Sequence, residues 1–381
     1  SSDLLQRIIE LRRKTTGLTH PERVHTAIIL SRVTLGADVA ITSVLAQRLQ
    51  AALPGAKIVL IGTGKLAQVF GGNSELQLRS VEYARRGGIL QRLEPWHRVL
   101  EIVREEARGL PEDGLLLFDP DSRLSQLGVL PVCSYSNTFF FDSRSGRNWR
   151  NKLSMAETTN EWLDRTVGGS AFCYPRIWVQ PETAQRVRDL AAAFRGHGAG
   201  RLIALNFGVG GNERKRVGPD FETRLMHSLL QEPNTLLFLD AGAGDEEWRA
   251  TQVVLQRLRE LGHPVREQGL GQGPHFPMSH GILGLRASFG DMAALIGCCD
   301  EFIGYDSAFQ HIAAAQGTPC LTVFAGSNNM RFIRRWSAFG PNSSRIIHVD
   351  TLNYPQGLDV EDIVVRVMHQ RQWQKGEMRD E

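Results

Sequence analysis

Short apolar runs alternate with longer amphipathic stretches along nearly the whole chain, the pattern of parallel strands buried between helices. In the first half, residues 27–30 and 57–61 predict strands and 39–53 a helix, with Pro54-Gly55-Ala56 turning the chain into the second strand. A helix with Leu93, Trp96, Leu100 and Val103 on one face follows, then a Gly-Leu-Pro-Glu-Asp-Gly break and an apolar strand at 115–118. The pattern restarts after an extended segment bracketed by Pro175 and Pro181. Pro181-Glu182 opens a helix that ends near Gly196 or Gly198. Strands are then predicted at 202–207, 236–239, 301–304 and 320–324, with helices from about 221 and about 246, at 292–296 and at 308–316.

The class is therefore α/β, and two Rossmann-like domains facing each other across a cleft are the simplest architecture. The expected division is 1–174, 175–357 and a terminal segment, 358–381, whose helix at 360–370 packs across both domains. A length of 381 residues suits two domains, and 42% hydrophobic with 22% charged residues is the composition of a folded chain with sizeable cores. The net charge of +3 argues against a nucleic-acid coat. Locally, Arg144, Arg147, Arg150 and Lys152 surround Trp149, either a solvated loop or a contact for an anion. Cys133, Cys173, Cys298, Cys299 and Cys320 form an odd set without metal-ligand spacing, which fits reduced thiols in a cytoplasmic protein. No signal-peptide core and no membrane-spanning run is present, so any membrane contact is expected to be peripheral.

Three loops carry candidate chemistry. The stretch Gly304-Tyr305-Asp306-Ser307-Ala308-Phe309-Gln310-His311 puts Asp306 and Ser307 at the carboxyl end of a strand and just before a helix, where free N–H groups suit a phosphate. Its plainer reading is a helix cap. Gly208-Val209-Gly210-Gly211-Asn212-Glu213-Arg214-Lys215 follows another strand. Glycines there let the backbone approach a diphosphate and Lys215 supplies countercharge, although the loop lacks the Gly-Lys-Ser/Thr ending of a P-loop. The third loop, Gly242-Ala243-Gly244-Asp245-Glu246-Glu247-Trp248, sets carboxylates at a helix start, where they suit the dipole and can accept ribose hydroxyls.

These loops, in this order, closely resemble those of glycosyltransferase family 9, the heptosyltransferases. The similarity is strongest over 281–341, where Asp306-Ser307-Ala308-Phe309-Gln310-His311-Ile312-Ala313-Ala314-Ala315-Gln316-Gly317-Thr318-Pro319 looks like the family's Asp-Ser/Thr-Gly-x-x-His-x-Ala-Ala-x-x-Gly-x-Pro, and where Val323 to Ser327 and Phe339-Gly340-Pro341 also fit. It is weaker in the first half, through Leu35-Gly36-Ala37-Asp38 and Leu53-Pro54-Gly55-Ala56. Two departures stand out: Ala37 separates Gly36 from Asp38, and Ala308 replaces a glycine.

The resemblance implies a GT-B fold and an inverting glycosyltransferase. Its donor is a nucleotide-diphospho-sugar, ADP-heptose as the first guess, and its acceptor a glycan or glycolipid such as lipopolysaccharide core. It further implies a donor site of Gly210, Gly211, Lys215, Glu246, Glu247, Asp306, Ser307, Ala308 and His311 in the second domain, Asp38 as catalytic base in the first, and no metal or other cofactor. Asp38 reads equally as the N-cap of its helix. Arg144, Arg147 and Arg150 are the expected contacts to an anionic acceptor. The location implied is cytoplasmic, extending to the inner face of the cell membrane. The alternatives are a GT-B sugar-nucleotide epimerase or a noncatalytic binder of nucleotide-sugars. A further one is an NAD-dependent dehydrogenase, since strand 57–61 runs into Gly62-Thr63-Gly64-Lys65-Leu66-Ala67 with Glu82 downstream.

Overall fold

A computed structural model describes all residues except 1, 15–16, 84–87, 145–151, 170, 243, 271–277, 354–356, 375 and 377–381. The chain forms two compact units, Ser1–Trp178 and Val179–Glu381. Trp178 exchanges backbone hydrogen bonds with Val69 and Gly72 (2.7 and 2.8 Å), which ties the proline-bracketed segment to the first unit.

The first unit is built on a five-stranded parallel sheet: β1 (Thr26–Leu30), β2 (Lys57–Gly62), β3 (Leu76–Ser80), β4 (Leu115–Asp119) and β5 (Thr138–Phe140), in the order β3-β2-β1-β4-β5. Ile28, Leu30, Val59, Ile61, Leu115 and Leu117 are buried in one core with Val99 and Ile102 of helix Ile89–Glu106. Strands buried on both faces lose the in-out alternation, which is why β1 and β4 read as continuous apolar runs. The Phe139-Phe140 pair lies in the edge strand β5.

The second unit holds seven parallel strands: β6 (Arg201–Asn206), β7 (Thr235–Asp240), β8 (Val265–Gly269), β9 (Gly281–Arg286), β10 (Glu301–Tyr305), β11 (Cys320–Phe324) and β12 (Ser344–His348), in the order β12-β11-β10-β6-β7-β9-β8. Strand order reverses between β6 and β10, the kind of switch point beside which ligands bind in open α/β sheets. Helix Val360–Gln374 packs within this unit, against helix Pro219–Leu229 and strands β11 and β12. Its Ile363, Val364 and Val367 join the core, while buried Arg371 ion-pairs with Glu301 and Glu232.

The dinucleotide fingerprint does not form. β2 ends at Gly62 and is followed by one 3-10 turn and the four-residue helix Ala67–Phe70, too short to present a phosphate-binding N-terminus. Gly62 is needed for another reason, since a Cβ there would fall 2.4 Å from the Ser31 Cβ.

Candidate active site

In the second unit the three loops meet at the carboxyl edge of the sheet. β6 ends on Asn206, β7 on Asp240, and Asp306 follows β10. Asn206 donates from Nδ2 to Asp240 (2.7 Å), and its Oδ1 accepts from the Ser307 hydroxyl (3.3 Å), so one amide joins the three strand ends. Lys215 Nζ reaches the Asp306 carboxylate at 2.5 Å, and the other Asp306 oxygen accepts from Gln310 (2.7 Å). Ser307 is the N-cap of helix Ala308–Ala315, as the plainer reading held, and accepts from the Phe309 N–H (3.3 Å). Asp306 is not the cap; it holds the cation. His311 is buried one turn on, its imidazole pushed down to about 4 by burial against the opposing effect of Asp306.

The glycine loop is anchored from below. Buried Glu222 takes a forked pair of hydrogen bonds from Arg216 (2.7 and 2.5 Å) and one from the Tyr305 hydroxyl (3.1 Å), which itself accepts from the Val217 N–H (3.1 Å). Thr351 bridges the Arg214 carbonyl and the Gly326 N–H, and a Cβ on Gly326 would meet the Arg214 oxygen at 2.7 Å. Gly210 and Gly211 take φ of +60° and +78° with open space around them, a left-handed turn that glycine adopts without strain.

The acidic loop separates its two glutamates. Glu247 lies against Gly208 and Gly242, where added Cβ atoms would meet its carboxylate at 3.2 and 2.7 Å, whereas Glu246 is exposed. Burial, and secondarily the Glu247 charge, raise Asp240 to about 6. Beside this loop a pocket of about 310 Å³ is lined by Gly242, Gly244, Asp245, Trp248, Arg286 and Ala287, with the Arg286 guanidinium 3.7 Å from the Trp248 ring centre. A larger hollow of about 820 Å³ along helix Pro181–Gly196 touches none of these residues.

In the first unit Asp38 sits beyond β1, inside a helical segment rather than at its start. Its N–H bonds the Thr34 carbonyl (2.9 Å) and it opens a π turn, Asp38–Thr42, between Leu35–Ala37 and helix Ser43–Ala52. The N-cap reading of Asp38 is thereby corrected, because an N-cap stands outside the helical ladder. Its carboxylate is 1% exposed and accepts from the Ser31 hydroxyl, the Arg32 N–H and the Thr42 hydroxyl, each at 2.8 Å. Burial pushes it up to about 6 against those three bonds. Val33 is held at φ +65° with its N–H on the Ser31 oxygen (2.8 Å). That conformation costs a β-branched residue roughly 1–3 kcal/mol, and such strain gathers at functional sites.

A second buried carboxylate, Asp119, ends β4 and is also raised to about 6 by burial. Next to it Asp121 binds Arg32 (3.4 Å), Ser143 (2.8 Å) and Arg144 (3.3 Å). Arg144 is thus an exposed cation paired with a buried carboxylate. Arg147 and Arg150 lie outside the described residues.

Asn206, Asp240, Asp119 and the Arg216-Glu222-Tyr305 clamp were not singled out by sequence reasoning. A legible signal existed for three of them: a polar residue closing an apolar strand, as in Leu-Ile-Ala-Leu-Asn, Leu-Leu-Phe-Leu-Asp and Leu-Leu-Leu-Phe-Asp.

The fold is shared with solved glycosyltransferases. A family 9 glycosyl transferase from Veillonella parvula aligns with a TM-score of 0.64 at 18% identity, over 94% of this chain and 98% of that one. The E. coli heptosyltransferase WaaC with ADP aligns at 0.56 and 14% identity, over 90% and 99%. E. coli ADP-heptose lps heptosyltransferase II aligns at 0.55 and 14%, over 91% and 99%. The α/β class and the GT-B fold are thus as expected. The fold these structures define is that of glycosyltransferases. Within that class the resemblance to family 9 holds: the model of glycosyltransferase family 9 (heptosyltransferase) matches residues 274–357, the segment containing Asp306, Ser307 and His311. No curated protein sequence matches the chain.

Proposed function

We propose that the protein transfers a sugar, with inversion, from a nucleotide-diphospho-sugar to a glycan or glycolipid acceptor, and that the second unit holds the donor. The observation that carries this reading is the Lys215–Asp306 pair at the switch point, with Asn206, Asp240 and Ser307 gathered beside it. An ammonium next to the N-terminus of helix Ala308–Ala315 suits a diphosphate and stabilises it as it leaves without a metal. In this reading Glu247 takes the ribose hydroxyls and the pocket beside Trp248 and Arg286 takes the base. ADP-heptose is the donor of choice because the solved neighbours with this fold include one bound to ADP and one bound to ADP-2-deoxy-2-fluoro heptose.

In a single displacement the acceptor oxygen attacks the anomeric carbon, the bond from that carbon to the diphosphate breaks, and a base takes the hydroxyl proton. Asp38 is that base in this reading. A carboxyl raised to about 6 binds a proton better than an ordinary carboxylate yet is ionised at pH 7, and its three hydrogen bonds leave one of about four acceptor positions unused. Arg144 contributes to an anionic acceptor site.

The deciding experiment is a thermal-shift series with ADP, UDP, GDP and NAD, since a bound ligand stabilises by RT ln(1 + [L]/Kd). A shift with ADP that Lys215→Ala abolishes supports the reading; a shift with NAD alone overturns it. Activity that disappears in EDTA and returns with Mg²⁺ would contradict the metal-free part. Among the described residues no group of three or more His, Cys, Asp or Glu is placed to hold a metal, and no helix is long and apolar enough to cross a membrane.

A further inference from the structure

A buried carboxylate that serves as a base needs one lone pair kept open and the others held. At Asp38 the two oxygens are held unequally. Oδ1 accepts from two donors, the Arg32 N–H and the Thr42 hydroxyl, and among the described residues Oδ2 accepts from one, the Ser31 hydroxyl, each at 2.8 Å. A carboxylate oxygen offers about two lone pairs, so Oδ1 is filled and Oδ2 keeps one position.

Both hydroxyls are committed to this carboxylate. Ser31 follows β1 directly; its N–H bonds the Ile61 carbonyl of β2 (2.8 Å), and its carbonyl accepts from the Ser122 hydroxyl in the turn after β4. The Ser31 oxygen also accepts from the Val33 N–H (2.8 Å), so its own proton is left for Asp38. The left-handed Val33 turns that N–H back onto Ser31, which gives the strain a use. Thr42 ends the π turn and, like Ser31, is fully buried. A helical Ser or Thr commonly returns its hydroxyl to the carbonyl four residues back, as Ser43, Thr158, Thr159 and Thr166 do here. Thr42 gives its hydroxyl to the side chain four residues back instead.

We propose that Ser31 and Thr42 are positioning residues for the transfer step, holding the Asp38 carboxylate so that the open side of Oδ2 receives the proton of the acceptor hydroxyl. In that step the acceptor O–H bond breaks and an O–H bond forms at Oδ2. The electron pair left on the acceptor oxygen makes the bond to the anomeric carbon, and the diphosphate leaves with the pair of its own bond. The proposal rests on Asp38 being the base. Hydrogen bonds to the ionised form favour it, so the two hydroxyls also oppose the burial that raises Asp38 to about 6. The Arg32 guanidinium opposes burial as well, and Asp119, Asp121 and Arg144 act on that guanidinium in turn. Helix Met155–Thr166, which packs on the π turn, buries no titratable side chain, and Arg48 of helix Ser43–Ala52 binds Asp164 (2.7 Å).

The test follows the Asp38 carboxyl by carbon NMR of the full chain, with aspartate labelled at the side-chain carboxyl and the signal identified as the one missing from Asp38→Asn. It should titrate near 6 in the native chain, at about 7 or above in Thr42→Val and in Ser31→Ala, and back near 6 in Thr42→Ser, which keeps the hydroxyl. Kinetics with ADP-heptose and a deacylated lipopolysaccharide-core oligosaccharide should show the acid limb of kcat/KM moving with the carboxyl. At about pH 9, where the base is ionised in every variant, kcat should be down about tenfold or more in Ser31→Ala, with ADP affinity within about twofold of native. Thr42→Val is isosteric, and its melting temperature checks that it folds, so the Thr42 pair decides if Ser31→Ala does not fold. The carboxyl titration needs no substrate and decides by itself if this donor and acceptor do not react. A midpoint that stays near 6 in Thr42→Val overturns the proposal, as does native kcat at about pH 9 in Ser31→Ala, which would leave the hydroxyls to packing. Failure of Asp38 as the base shows separately, as a kcat and an acid limb that Asp38→Asn leaves in place.

Discussion

The carboxyl edges of the two sheets handle a buried aspartate in opposite ways. In the first unit Asp38 is surrounded by two hydroxyls and one backbone N–H, so burial wins and its proton affinity rises to about 6. In the second, Asp306 is nearly as buried but meets the Lys215 ammonium at 2.5 Å and a Gln310 amide. Neutral donors position a carboxylate without bringing an opposite charge to it, whereas the Lys215 pair brings one. The first arrangement suits a group that must gain and lose a proton, and the second suits a group that keeps a cation aimed at a ligand.

Removing each carboxylate's function should therefore have different consequences. Asp38→Asn should lower kcat by roughly 10²- to 10⁴-fold with ADP affinity kept. The amide fits the site: its oxygen can accept from Arg32 and Thr42, and its NH₂ can donate to the Ser31 oxygen, which has lone pairs for both it and the Val33 N–H. Single-turnover rates with near-native kcat would remove Asp38 from the mechanism. Lys215→Ala should act on binding, weakening ADP roughly tenfold or more, because a charge-assisted contact to phosphate is worth about 1.5–3 kcal/mol. Calorimetry on the two variants separates the roles.

The raised carboxyls also set the response to pH. If Asp38 is the base, kcat/KM should fall as pH drops through about 6 rather than through 4, and the limb should vanish in Asp38→Asn. Stability follows the reverse course. Asp119 folded, at about 6, binds a proton that the unfolded chain releases near 3.8, so the folded state holds more protons between those values. That contribution is fully present below 3.8 and is lost as pH rises through 6. Asp119→Asn should therefore gain stability relative to the native chain between pH 5 and pH 7, by on the order of 1–3 kcal/mol, read from urea midpoints at the two pH values. A gain that is equal at both would show that Asp119 titrates normally.

How much of this could be read from the sequence follows the same division. Strands buried on both faces announce themselves, so β1, β2, β4, β6, β7, β10 and β11 were legible as apolar runs. That signal does not mark β3, β8 and β12, which are only partly buried, with Gln77, Glu267 and Arg345 breaking the apolar pattern. Nor does it mark two buried strands, the three-residue β5 and β9, whose Gly281 and Gly284 interrupt its apolar run. In the site, residues that come as a local motif were readable: Asp306, Ser307 and His311 share one turn, and Lys215 follows a glycine run. Partners that meet only through the sheet were not, since Asn206 and Asp240 are far apart in sequence and adjacent only because β6 pairs with β7. The π turn at Asp38 was also invisible, because a π ladder has no pattern of its own. It widens the helix just where Ala37 lengthens the chain between Gly36 and Asp38.

The smallest expected effect tests the acidic loop, where two adjacent glutamates read alike in sequence but differ in the structure. Glu247 is wedged against Gly208 and Gly242, and its charge contributes to raising Asp240, whereas Glu246 is exposed at the first turn of helix Asp245–Glu260. A ribose hydroxyl bonded to a carboxylate is worth about 1.5–3 kcal/mol, less what Gln retains as a neutral acceptor. Glu247→Gln should then weaken ADP about threefold to tenfold and, by removing a like charge, let Asp240 ionise more easily. Glu246→Gln leaves only the helix dipole to notice, a few tenths of a kcal/mol in stability and no change in ADP affinity. Equal losses in the two variants would mean that the loop acts on the nucleotide through its net charge, and that the placement of Glu247 between two glycines serves packing alone.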